Sequence, residues 1–330
     1  MVYSINKVSK LSDETIIDAV RSHVKFDNLD NISRTNAYFS YYKRHREIKW
    51  SLLASMVSRN AGYNMTDLEG GWFPLCIKKE LRHQIFITYE RANWLIFQDA
   101  FSQLLIYEWS KKLNRPLFHL LSTFSVSPFM IYEWKHFWRT GDRNRLMTSL
   151  IINEQNLIQK PIIEHPFYKK KVFHSFCFHF QDWLHFSSVI FPTKEGDLYG
   201  ISVKNFCNLE DRIILGKKLA LLLFHPEYYS MFYEFADSVT HTGARKDYEH
   251  YLKQYVSSQT LPLRLIYPVI NHNQHRYLNW EASDKKIEKW FQSNTKLKKV
   301  CITNWYMRKQ ELLHLAIMFE HYMKKPSVFT

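Results

Sequence analysis

The stretch WSLLASMVSRNAGYNMTDL, residues 50–68, decides how the chain is read. Each residue of an α-helix advances by about 100°, so side chains four and seven apart share a face. On that spacing Ile48, Leu52, Ser55 and Met56 form one stripe, and Arg59 is its next member. Leu53 and Val57 lead in the same way to Asn60. The pattern is that of a helix over about 34–60 whose inner face turns polar where it ends. Gly62 is expected to let the chain turn sharply there, so that a loop carrying Asn64 and Asp67 folds back toward Arg59 and Asn60.

Helical periodicity continues outward in both directions. Helices are expected over 13–27, with Ser12 as N-cap, and over a long stretch from Pro74 to Leu113 with a break near Thr88. Thr66 and Glu69 have the spacing of a capping box. Further helices are expected at 128–139, 142–159, 170–187, 208–224 with Asn208 as cap, 226–239, 282–292 and 304–324. HTG at 241–243 breaks the chain before ARKDYEHYLKQY resumes it as a helix, and 258–280 reads as loop. VIF and LYGISV flank TKEGD, which fits a short β-hairpin near 189–203. Gly is scarce, 8 in 330 residues, against a usual share of roughly 7%. Few glycines mean few tight turns. The expected fold is all-α, a multi-helix orthogonal bundle in a single domain, with at most that one hairpin.

Composition bounds the function classes. Hydrophobic residues make up 46% and charged residues 23%, so the chain can build a core and disorder is not indicated. Lys plus Arg is 45 against 31 Asp plus Glu, a net charge of +14, which draws the chain toward nucleic acid or another anionic partner. The basic residues are scattered, as in KRHR at 43–46 and KLKK at 296–299, and this favours a solvated basic surface over a binding arm or tail. Cys76, Cys177, Cys207 and Cys301 form no CxxC, which fits reduced thiols. The N-terminus lacks an apolar signal region and no run of 18 apolar residues exists, so a cytoplasmic protein without a transmembrane segment is expected. There is no GxxxxGK[ST], GxGxxG, GxSxG or HExxH, and no cofactor is indicated.

The remaining signals are polar residues on apolar faces. In YERANWLIFQDAFSQLLIYEW, Trp94, Phe97, Phe101 and Leu104 define the inner side. Glu90 lies near its centre and Asn93 at its flank, whereas Gln98, Asp99 and Ser102 are expected in solvent. In RLMTSLIINEQNLI, Glu154 falls in the middle of the arc made by Met147, Leu150, Ile151, Leu157 and Ile158. An unpaired buried charge costs several kcal/mol, so such placements need partners. Arg59, Glu90 and Glu154 would then be aimed inward from three helices. One arrangement is a buried ion-pair network that fixes packing. The other is a pocket for a small anionic ligand or a metal, with Glu90 and Glu154 as acid and base and Arg59, Asn60, Asn64, Asp67 and Asn93 binding. His241, Arg245 and Asp247 can join from the helix break at 241–247. Metal-compatible spacing also occurs at His174, Cys177, His179, Asp182 and His185, and more weakly at His272 and His275, but no ligand set is complete.

The stretches NAYFSYYKRHREIKWSLLASMVSRNAGYNMTDL, ERANWLIFQDAFSQLLIYEW, SLIINEQNLI, LEDRIILGKKL and HTGARKDYEHYL resemble the YppC-like proteins, a bacterial family defined as a domain of unknown function. The likeness runs from about residue 34 to 255 and leaves 280–325 as a helical extension. Ala61 and Tyr63 depart from the expected Gly and Trp. The resemblance implies a bacterial cytosolic protein with one family-wide domain, and it transfers no catalytic role.

Overall fold

The structure, a computed structural model, describes residues 11–170, 188–203, 205–253, 258–272, 280–292, 296–297 and 300–324. It is mainly helical, with one short antiparallel hairpin. Helix α1 (Asp13–Asp27) starts at Ser12, whose hydroxyl accepts from Thr15 N at 3.2 Å. The expected second helix is two: α2 (Asn31–Arg44) and α3 (Lys49–Asp67). No Gly or Pro marks the break. It lies where His45 is held between Glu47, at 3.7 Å, and Glu108, at 3.5 Å. Asp30 caps α2 through Ser33 N at 2.8 Å and also binds Arg264 at 2.6 Å.

Helix α3 does not turn at Gly62. It runs on to Asp67, so Asn64 and Asp67 are helical and the expected capping box at Thr66 is part of the helix. The glycine answers a close approach instead. A Cβ there would collide with Asn31 Oδ1 and stand 3.0 Å from His241 Cε1. Asn31 Nδ2 donates to Ser58 O at 2.8 Å, and Ser58 Oγ accepts from Thr35 at 2.7 Å. These bonds lock α2 against α3 along their shared face. Gly62→Ala should therefore destabilise the protein by about 1–3 kcal/mol, because overpacking outweighs the roughly 1 kcal/mol that Ala gains in a helix. A urea midpoint equal to or above that of the parent protein would refute this.

After a four-residue helix α4 (Phe73–Cys76), α5 (Lys79–Lys112) is one continuous rod of 34 residues. The break expected near Thr88 is absent, and Thr88 Oγ1 donates within the helix to Gln84 O at 2.7 Å. Its first half packs Ile85 and Phe86 in a cluster with Met65, Phe73 and Leu313. Its second half packs Phe97, Phe101 and Leu104 in the main core. Helix α6 (Pro128–Thr140) and α7 (Arg143–Leu157) follow, capped by Ser127 and Asp142. A π-helical turn at Gln159–Ile163 and a short α8 (Pro166–Tyr168) follow α7.

Strands β1 (Ser188–Pro192) and β2 (Leu198–Ser202) pair from Ser188↔Ser202 to Pro192↔Leu198 around the TKEGD turn, where Gly196 has φ +86°. Helix α9 (Leu209–Leu223) begins at Asn208, whose side chain accepts from Asp211 N at 3.1 Å. Helix α10 (Tyr229–Ser238) is next. The helix expected from Ala244 is only α11 (Lys246–Glu249), a single turn. The loop after it holds α12 (Leu263–Ile266), and α13 (Asp284–Gln292) and α14 (Thr303–Lys324) close the described chain. The helix expected at 170–187, with its histidines and Cys177, falls on 171–187 and lies outside the described residues, as does His275. Among the described residues no helix is long and apolar enough to cross a membrane.

Candidate functional site

The inward polar residues fall into separate groups. Arg59, Glu90 and Glu154 are not bonded to one another. Arg59 Nη2 donates to Ala236 O at 3.1 Å and Val239 O at 2.8 Å, so the guanidinium caps the C-terminal carbonyls of α10. Glu90 Oε2 accepts from Arg34 Nη2 at 2.6 Å, and His272 Nε2 stands 3.8 Å from Oε1. Burial pushes the Glu90 carboxyl up, but Arg34 and His272 outweigh it and hold the pKa below its ordinary value. Arg34 is a partner that the spacing argument did not supply.

A second group joins α3 to the turn at 241–247. Arg245 Nε donates to Asp67 Oδ1 at 2.8 Å and Oδ2 at 2.6 Å, and its Nη2 donates to Asn64 Oδ1 at 3.1 Å. Nη1 donates to the hydroxyls of Tyr248 at 2.7 Å and Tyr306 at 2.8 Å. Burial alone would lower the Arg245 pKa, yet Asp67 and the two tyrosines raise it well above its ordinary value. This is a satisfied ion-pair network.

His241 forms a third group. Its Nε2 lies 2.8 Å from Asn31 Oδ1, and its Nδ1 lies 3.5 Å from Asp247. Asn31 Nδ2 is committed to a carbonyl, so Oδ1 accepts here and the imidazole proton sits on Nε2. Burial drives the His241 pKa down to about 4, against the pull of Asp247. Asp247 itself accepts from Thr242 N at 2.9 Å and closes the turn.

Glu154 stands apart. Its carboxyl accepts from Trp50 Nε1 at 3.1 Å and Gln155 Nε2 at 3.0 Å and has no cation within ion-pair distance among the described residues. Burial pushes its pKa up to about 7. It lines a cavity of about 260 Å³ whose wall is mostly aliphatic, with Leu53 and Val57 from α3, Ile96 from α5, Ile162 from the π turn and Leu219 from α9. Arg34, Tyr38, Asn60, Asn64, Asn93 and Arg212 add polar groups to that wall. Asn60 is partly committed, since its Oδ1 accepts from Ile190 N at 3.0 Å, and Asn93 donates to Tyr89 O at 2.8 Å. The cavity thus gathers Asn60, Asn64, Asn93 and Glu154 from the expected set, but neither Arg59 nor Glu90 lines it.

The sequence reading missed Arg34, Tyr38 and Arg212, which sit at unremarkable helical positions. It also placed Asp99 and Ser102 in solvent, whereas both are buried. Asp99 Oδ2 accepts from Gln103 at 2.6 Å and Asn153 at 2.7 Å. Helix α5 is enclosed on more sides than one apolar stripe implies. Among the described residues no group of three or more His, Cys, Asp or Glu side chains is arranged to hold a metal ion.

No solved structure matches the chain. A protein of Bacillus subtilis (strain 168) named Uncharacterized protein YppC is 49% identical over 315 residues, which cover 94% of this chain and 97% of that protein. The model of the family described as Protein of unknown function (DUF2515) matches residues 27–311, and the chain belongs to that family.

Proposed function

We propose that the chain binds a small, mainly apolar molecule in the cavity bounded by α2, α3, α5, α7 and α9, with the ligand's polar end toward Glu154. The observation that carries this reading is the cavity of about 260 Å³ itself. Protein interiors are close-packed. The wall of this space is mainly apolar, so water held against it is displaced favourably by an apolar molecule. The space takes roughly ten non-hydrogen atoms, on the scale where ~150 Å³ holds benzene. An enzymatic version of the reading rests on Glu154, whose pKa near 7 suits proton transfer at neutral pH, because Glu90 is tied to Arg34. The anionic ligand expected at Arg59 is not part of it.

Titration with octane and similar apolar probes should show saturable binding and raise the melting midpoint. Ala54→Phe and Ala92→Leu, which fill the wall, should each weaken binding at least tenfold and leave a cooperative melt. Wild-type protein that binds none of these probes, or filled variants that bind as well as wild type, would sink the reading.

A further inference from the structure

We infer that the ligand of this cavity is an organic cation, in its simplest form an alkylamine, whose ammonium group pairs with Glu154 while its chain lies along the aliphatic wall. The inference rests on the cavity-binding reading above and names the class of its ligand.

Glu154 lines the cavity and is only half-buried, so what enters can reach its side chain. Each carboxyl oxygen accepts one hydrogen bond from a neutral donor, Oε2 from Trp50 Nε1 and Oε1 from Gln155 Nε2. Gln155 is held in that orientation, because its Oε1 accepts from Arg212 Nε at 2.9 Å. An ionised carboxylate offers about four acceptor sites, so about two stay open. The charge is also unmatched. Arg34 is committed to Glu90 at 2.6 Å. Arg212, the other cation on the described wall, also donates to Phe206 O at 2.8 Å, Gln155 O at 3.2 Å and Gln159 Oε1. Neither guanidinium is bonded to Glu154.

A carboxyl group in such a place is costly to ionise, and burial pushes the Glu154 pKa up to about 7. An ammonium ion supplies both things that are missing, a positive charge and N–H donors. A carboxylate ligand would instead bring a second negative charge to Glu154. An alcohol would donate one hydrogen bond and leave the charge unmatched. The preference for a cation therefore depends on pH. The other ionisable groups on the described wall are Arg34 and Tyr38 from α2, Tyr89 from α5 and Arg212 from α9. Guanidinium and phenol groups ordinarily titrate at about 10 or above. Burial raises Tyr38 further and lowers Arg212 only to about 10. Asp99 on α5, pushed up to about 7, titrates together with Glu154. It faces Gln103 and Asn153, however, and is not part of the described wall.

Four probes with the same chain separate the classes: octane, octan-1-ol, n-octylamine and octanoate, titrated at pH 6, 7 and 8 into wild type and Glu154→Gln. At pH 8 the amine should bind about tenfold or more tighter than the alcohol or octanoate. An alkylamine, like the lysine amine at about 10.4, stays protonated across this range. Glu154 passes from about one-tenth to about nine-tenths ionised between pH 6 and 8, so amine affinity should rise about tenfold. Octane and the alcohol should not change with pH. Glu154→Gln should weaken the amine about tenfold or more at pH 8, abolish its pH dependence and leave octane binding as in wild type. The pH series needs only wild type, so the test stands even if Glu154→Gln does not fold. An alcohol or octanoate that binds as tightly as the amine at pH 8 would overturn the inference. So would an amine affinity flat across pH in wild type, or a pH dependence that survives in Glu154→Gln and so belongs to Asp99. In each case octane binding keeps the cavity reading. Failure of all four probes would remove both.

Discussion

Asp67→Ala is expected to lower the unfolding free energy by about 3–5 kcal/mol, the usual result of stripping one partner from a buried ion pair. Arg245 is fully buried, and its nearest carboxylate is Asp67 at 2.6 Å. The tyrosine hydroxyls and Asn64 satisfy its hydrogen bonds but not its charge. Asp67 also sits in the last turn of α3, where a negative side chain faces the negative end of the helix dipole. Arg245 offsets that conflict, so each residue is costly without the other. Replacing both, as Asp67→Leu with Arg245→Met, should recover most of the loss, because no uncompensated charge is left in the interior. Urea titrations of the two single variants and the double variant give the coupling directly. A loss below about 1 kcal/mol in Asp67→Ala would mean that water reaches Arg245.

The positions of most helices were legible because their signals are local. Ser12 and Asn208 cap the helices they were expected to cap, and TKEGD makes the hairpin turn. Periodicity also identified Arg59, Asn60 and Glu90 as buried. Their partners were not legible, since these come from distant parts of the chain. Arg245 reaches Asp67 across 178 residues, and Arg59 reaches the end of α10 across 177 and 180. The break at His45 escaped for the same reason: Glu108, on α5, helps to hold it. The long helix α5 was expected to break near Thr88 because the stretch from Pro74 to Leu113 exceeds the length of an ordinary globular helix. It persists here by packing against two different clusters along its length. The tight approach at Gly62 is likewise a tertiary fact, and a local rule for glycine reads it as a turn.

Asp99→Asn is expected to stabilise the protein increasingly as pH rises from 5 to about 7. Burial pushes the Asp99 pKa from 3.8 up to about 7, although Asn153 and Gln103 pull it down through hydrogen bonds. A carboxyl whose pKa is raised on folding binds its proton more tightly in the native state. Its contribution is complete below the unfolded pKa and is lost as pH rises toward the folded one. Between pH 5 and 7 that is about two pH units at 1.36 kcal/mol each, an upper limit of about 2.7 kcal/mol. Asparagine keeps the contacts, because the single oxygen Oδ2 accepts both bonds, at 2.6 Å and 2.7 Å, and an amide oxygen can replace it. The wild-type curve alone will not report this. Glu154, raised to about 7, acts in the same sense. His241 and His314 are lowered to about 4 and act oppositely, losing stability as pH falls below about 6.5. Glu47 and Glu108 are held below their ordinary values by His45 and by Lys111 and Lys112, and they too oppose it at acid pH. The difference between Asp99→Asn and wild type cancels those groups, as they are common to both proteins. Denaturant midpoints of the pair at pH 5, 6, 7 and 8 should diverge up to about pH 7 and then run parallel. A difference that stays constant across the series would show that Asp99 is ionised throughout and that its two amide donors suffice to hold the charge.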